Sequence, residues 1–141
     1  MNNRNTIRIL YLDDCDIDHR LLQAYLRLDD THSYDVTACS TLEEAKAALE
    51  RSGYDALILD NRVPPFNNYH QTYREIKEAC GFSGPTLVVS ADTKGDEFGP
   101  AARQDHEVVI DKADLMEVIR TGSFVSWAKE GQTQGLQSRA S

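Results

Sequence analysis

Five short apolar runs recur along the chain, and between successive runs the apolar residues fall at helical spacing instead. Residues 7–12 (IRILYL), 34–39 (YDVTAC), 55–60 (DALILD), 86–90 (TLVVS) and 107–111 (EVVID) are strand-length and rich in β-prone types. The first is nearly continuous in its apolar character, as a parallel strand buried on both faces must be. After it, Asp16 is a predicted N-cap and Ile17, Leu21, Tyr25 and Leu28 recur with helical period. Ser40 and Glu43 form an S-x-x-E capping box ahead of Leu42, Ala45 and Leu49, and Gly53 ends that helix. Tyr69, Tyr73, Ile76 and Cys80 precede Gly81, while Leu115, Val118, Ile119 and Gly122 share one face of a last helix. Strands alternating with helices imply a parallel sheet, right-handed crossovers and helices on both faces, a doubly wound α/β domain. Two segments interrupt the pattern. Residues 61–68 carry Pro64-Pro65 and form a loop, and residues 93–104 contain Gly95, Gly99 and Pro100, so a fourth helix there is short or irregular.

At 141 residues the chain has room for one core. We expect a folded domain over residues 1–130 and a flexible polar tail over 131–141 (GQTQGLQSRAS), which lacks apolar periodicity, with no second output module. No apolar run approaches the roughly 18 residues of a membrane span, and residues 1–8 lack the apolar stretch of a signal peptide. A cytoplasmic protein without membrane attachment is expected. Cys15, Cys39 and Cys80 form no C-x-x-C and read as reduced thiols. A net charge of −8 without a Lys/Arg cluster argues against direct nucleic-acid binding.

In doubly wound sheets the ligand site lies beyond the carboxyl ends of the strands, at the topological switch point. Here the first strand ends in Asp13-Asp14, the third in Asp60, the fourth in Ser90 and the fifth at Asp111-Lys112. Three carboxylates brought together repel and raise one another's pKa unless a cation neutralises them, and an all-oxygen site with open positions suits Mg²⁺ sharing a phosphate oxygen. A lysine and a hydroxyl opposite complete a phosphoryl cradle, with charge spread over metal, cation and hydrogen-bond donors. One carboxylate is then free to act as nucleophile.

These residues resemble the receiver domains of two-component response regulators, over residues 7 to about 128. The motifs are Asp13-Asp14, Asp60 closing ALILD with Pro64 four residues on, Ser90 after TLVV and Lys112 after VVID. The resemblance implies a flavodoxin-like five-stranded sheet in the order 2-1-3-4-5. It makes Asp60 the phosphoacceptor and makes Asp14 and Asp60 direct ligands of Mg²⁺ (or Mn²⁺), with the Arg62 backbone carbonyl. Asp13 becomes a water-mediated ligand, and Ser90 and Lys112 hold the phosphoryl oxygens. It further implies a single-domain regulator, not an enzyme in the ordinary sense, that supports its own Mg²⁺-dependent phosphorylation and dephosphorylation. The phosphoryl group would come from a histidine kinase or a histidine phosphotransfer protein of a phosphorelay, and the signal would pass to a downstream protein target. An alternative is a receiver-like docking module that works without phosphorylation.

Three departures bear on output. Ala113 follows Lys112 where the family has proline, Val109 stands where it has an aromatic, and the fourth helix is weak. With Ala113 in place of proline the Lys112–Ala113 bond is expected to be trans. Without the aromatic, residues 93–104 are the element left to carry a signal. A metal-dependent phosphohydrolase is disfavoured because Asp60-Asn61-Arg62 lacks a D-x-D general acid, and a flavodoxin because Asp13-Asp14-Cys15-Asp16 would repel a flavin phosphate. Cys15, Phe124 and Trp127 read as packing residues, His19, His32, His70 and His106 as surface histidines, and Arg62 and Asp92 as a pair bridging the site mouth.

Overall fold

The structure is a computed structural model that describes residues 6–99, 102–104, 107–131, 133 and 136; Pro100, His106 and most of the tail lie outside the described residues. Along the first strand the side chains alternate between two apolar layers, Ile7, Ile9 and Tyr11 entering one and Leu10 and Leu12 the other. Such two-sided burial requires cover on both faces, and the chain supplies it. Strands β1 (Thr6–Leu12), β2 (Ser33–Cys39), β3 (Ala56–Asp60), β4 (Thr86–Ser90) and β5 (Val108–Asp111) form one parallel sheet in the order β2-β1-β3-β4-β5. Helices α1 (Asp16–Leu26), α4 (Leu115–Arg120) and α5 (Ser123–Glu130) cover one face, burying Leu22, Leu26, Val118, Phe124 and Trp127. Helices α2 (Leu42–Arg51) and α3 (Tyr69–Cys80) cover the other with Leu42, Ala45, Tyr73 and Ile76. The fold expected from the sequence and the resemblance is present, including the weak fourth helix. Between β4 and β5 the chain makes a 3₁₀ turn at Asp96–Phe98.

Several local expectations are corrected. The N-cap of α1 is Cys15, without a side-chain cap bond, and Asp16 is already helical. The N-cap of α2 is Thr41, whose Oγ1 accepts from the Glu44 amide, while the Glu44 carboxylate reaches back to the Ser40 amide; the box is shifted by one residue. The last helix is two helices, because Gly122 adopts φ +85 and breaks the chain direction between α4 and α5. Glycine tolerates that left-handed backbone at no steric cost. Phe124 and Trp127 are buried, their rings 5.5 Å apart, as the packing reading requires. All three cysteines are free thiols. In the tail, Leu136 is buried in the layer beneath α1, α4 and α5.

The most consequential correction concerns α1. The helix carries two overlapping apolar stripes, and the sheet receives Leu22 and Leu26 with His19, which lies against the Tyr11 ring at 4.7 Å. Of the stripe expected to face inward, Tyr25 alone packs partly against the core, while Ile17 is 66% and Leu28 59% exposed and Leu21 is also exposed. Periodicity measures how apolar residues are spaced but not which of two stripes meets the core, and the polar His19 at the start of the buried stripe hides it. Leu22→Ala is expected to lower the unfolding free energy by about 2–5 kcal/mol by opening a cavity, while Leu21→Ala stays within roughly 0.5 kcal/mol. Urea denaturation of the two variants checks this, and equal losses would place the wrong face inward.

Candidate functional site

Strand register brings the acids together. Leu12 of β1 pairs with Leu59 of β3, so the next residue on each strand, Asp13 and Asp60, emerge side by side at the carboxyl edge of the sheet. This is the switch point, since β1 continues to β2 on one side and β3 lies on the other. Carboxylate oxygens of Asp13, Asp14 and Asp60 lie within 4.8 Å of one another; Asp13 and Asp60 are buried and Asp14 is exposed. Lys112, just past β5, reaches over them, with Nζ 2.8 Å from Asp60 Oδ1 and 3.0 Å from Asp13 Oδ2. Ser90, at the end of β4, donates its hydroxyl to the Asp92 carbonyl at 2.9 Å. Asp60, Arg62, Ser90, Asp92 and Lys112 line one cleft of about 450 Å³. The sequence-predicted residues are thus assembled in one place.

The electrostatics follow from burial and pairing. Burial raises the Asp60 carboxyl above the usual carboxylate range, and the Asp13 charge adds to this, while Lys112 and a backbone hydrogen bond from Arg62 only partly oppose it. Burial alone would depress the Lys112 ammonium, yet its hydrogen bonds to Asp18 and Asp60 raise it, so it stays charged. A carboxylate held with a raised pKa by like charges is the environment that a bound cation relieves. The three acids are hard oxygen donors of the type Mg²⁺ takes, so the donor set fits a divalent cation.

Four residues around the site were not legible as part of it. Asp18, in the first turn of α1, accepts from Lys112 Nζ at 2.5 Å. Tyr11 donates to Asp13 Oδ2 at 2.5 Å, and burial together with that carboxylate raises the phenol. His19 Nε2 lies 2.7 Å from the Asp13 carbonyl, which corrects the surface reading of that histidine. Asn61 holds two neighbours, its Oδ1 accepting from the Tyr69 amide at the start of α3 and its Nδ2 donating to Glu97 at 3.3 Å. The contact of Asp18 with Lys112 spans 94 residues of chain, and no local pattern announces it. His32 and His70 are half-buried and hydrogen-bonded, His32 to Asp29 and His70 to the Glu97 carbonyl. Among the described residues no ion pair joins Arg62 to Asp92, although both line the cleft. The Lys112–Ala113 bond is trans, as expected, the cis bond among the described residues being Pro64–Pro65.

No protein-family model matches the sequence, and no curated protein matches it. Solved structures do. The receiver domain of the sensor histidine kinase PA1611 from Pseudomonas aeruginosa PAO1, with magnesium coordinated in its active-site cleft, aligns with TM-score 0.61 and 24% identity, over 82% of this chain and 96% of that one. The phosphorylated cyanobacterial phytochrome response regulator RcpA aligns with TM-score 0.68 and 19% identity, over 90% and 96%. The Mn²⁺-bound response regulator Rcp1 gives 0.67 and 20%, over 88% and 96%. The chain has the fold of response regulator receiver domains.

The raised Asp60 carboxyl yields a signed prediction. Its folded pKa lies above the unfolded value of 3.8, so the ionised group opposes folding at neutral pH and the protonated group does not. Asp60→Asn is therefore expected to stabilise the metal-free protein at pH 7. The gain should shrink as pH falls through the carboxylate range, where the wild-type residue takes up its proton. Thermal unfolding across pH 3 to 7 in a chelating buffer measures it, and a destabilised Asp60→Asn at pH 7 would contradict the electrostatic account.

Proposed function

We propose that the chain is a response regulator receiver domain that accepts a phosphoryl group on Asp60 from a histidine kinase or histidine phosphotransfer protein and signals through contacts with a downstream protein. The observation that carries this reading is the Lys112 ammonium 2.8 Å from Asp60, in the same cleft as two further carboxylates and the Ser90 hydroxyl. Asp14 and Asp60, with the Arg62 carbonyl, are the residues that would hold Mg²⁺ or Mn²⁺, with Asp13 acting through a water. When bound, the cation neutralises the acids and draws charge from the phosphoryl oxygens. An Asp60 oxygen is the nucleophile. Lys112 and Ser90 supply hydrogen-bond donors to the transferring group, Ser90 by turning its hydroxyl away from the Asp92 carbonyl.

The surroundings agree with a protein phosphodonor. Ile17 and Leu21 of α1, Leu28 in the turn after it and Met116 of the neighbouring α4 are exposed apolar side chains. Since α1 starts just past Asp13-Asp14, a helix of a partner lying on this surface would bring a phosphohistidine to the cleft. The position two residues after Asp60, where a hydrolase with an aspartyl nucleophile carries its second acid, is Arg62. Among the described residues no helix is long and apolar enough to cross a membrane.

Incubation with acetyl phosphate and Mg²⁺ is expected to give stoichiometric, acid-stable and base-labile modification of the wild type, as an acyl phosphate requires. Asp60→Ala should take up none by intact mass spectrometry. Modification that survives in Asp60→Ala refutes the assignment, and an unmodified wild type favours the docking-module alternative. For output, Val109 adjoins a cavity of about 340 Å³ lined by Thr93, Gly95, Phe98, Gly99 and Arg103, where the resemblance would place a switch aromatic and a helix. Amide exchange over residues 93–99 should slow on phosphorylation more than anywhere outside the site loops. Unchanged exchange there would remove this segment as the output element.

A further inference from the structure

An ammonium group has three N–H donors, and three carboxylates surround Lys112 Nζ: Asp13 at 3.0 Å, Asp60 at 2.8 Å and Asp18 at 2.5 Å. The first two belong to the acid trio. Asp18 stands apart from it on α1, with its side chain 23% exposed, and it is not among the residues that line the cleft. Burial would raise its carboxyl, but the hydrogen bond and charge of Lys112 hold it below the usual range, so it is ionised at neutral pH.

Acylation of Asp60 changes the balance around the lysine. Once phosphorus is bonded to one Asp60 oxygen, the carboxylate charge is gone, and negative charge sits on the phosphoryl oxygens instead. The Lys112 donor held by Asp60 is then released toward those oxygens. A lysine is a point charge on a flexible four-carbon stem, so it stays aimed at the phosphoryl group only while its other donors are held. Asp13 holds one from β1, and its Oδ2 is shared with the Tyr11 hydroxyl. Asp18 holds the other from α1.

We propose, on the reading of Asp60 as phosphoacceptor, that Asp18 is a positioning residue that anchors the Lys112 ammonium over Asp60 during phosphoryl transfer. With acetyl phosphate as donor, an Asp60 oxygen forms a bond to phosphorus, the bond from phosphorus to the acetate oxygen breaks, and acetate leaves with the electron pair. Lys112 remains protonated throughout and only exchanges one acceptor for another.

The test has two arms. In the first, the Lys112 ammonium is observed by nitrogen-15 NMR at low temperature without phosphodonor; a slowly exchanging signal is expected in the wild type and its loss in Asp18→Ala. In the second, phosphorylation by acetyl phosphate is timed at saturating Mg²⁺. Asp18→Ala is expected to be slower by roughly tenfold, and Asp18→Asn, which keeps an acceptor oxygen, by less. In a Lys112→Met background Asp18→Ala should have no further effect, because the residue acts through the lysine. A Lys112 signal unchanged in Asp18→Ala overturns the proposal, as does an equal slowing with and without the lysine. Should Lys112→Met fail to fold, the NMR arm and the graded order of Asn and Ala decide. A wild type that takes no phosphoryl group while its Lys112 signal still depends on Asp18 overturns the phosphoacceptor reading and leaves the anchor standing.

Discussion

The Lys112 ammonium holds together a corner of the molecule that would otherwise push itself apart. Parallel register sets Asp13 beside Asp60 at the edge of the sheet, and Asp14 and Asp18 follow within one turn of chain. Like charges a few ångströms apart in a partly buried site repel by several kcal/mol unless a cation intervenes. Lys112, reaching from the end of β5 to β1, β3 and α1, supplies a permanent one. One positive charge among four acids leaves a residual negative field at the mouth, which suits a divalent cation and makes the lysine and the metal partial competitors. The arrangement trades stability for a reactive acid. Functional sites are where such local conflict is tolerated, because the apolar layers on both faces of the sheet over-determine the backbone that presents it.

A second network holds the described part of the segment between β4 and β5, where side chains of α3 and of the residues just before β5 supply partners. His70 bonds to the Glu97 carbonyl at 2.7 Å, and the Gln104 side-chain amide donates to the His70 carbonyl at 2.8 Å. Glu107, buried at the start of β5, accepts from the Tyr69 hydroxyl and the Gln104 amide, both at 2.8 Å. Phe98 of the 3₁₀ turn stacks parallel to Tyr69. A buried carboxylate with two donors is worth keeping in place, since stranding it would cost more than the net value of either bond. Asn61, the residue after Asp60, bonds to both Glu97 and the Tyr69 amide, so the loop after β3 is tied to this network.

Helix α1 and the turn after it divide their apolar residues between the core and the surface. Leu22 and Leu26 serve the core, and Ile17, Leu21 and Leu28 do not. Scattered exposed apolar residues are ordinary on protein surfaces, and these lie on and just past the helix that begins beside Asp13 and Asp14.

The sequence by itself determined the five strands, their alternation with helices and therefore the doubly wound class, because strand-length apolar runs and helical periodicity are local properties. It also determined which residues end the strands, and hence Asp13, Asp14, Asp60, Ser90 and Lys112, since topology sends every strand end to one edge. Capping positions missed by a residue, and the break at Gly122, were not fixed locally because neighbouring residue types satisfy the same bonds. Which stripe of α1 is buried, the seating of His19 against Tyr11, and the third carboxylate on Lys112 were decided only by tertiary structure. Each depends on how a helix is rotated against the sheet, and that rotation is set by packing among residues far apart in the chain, where spacing carries no information.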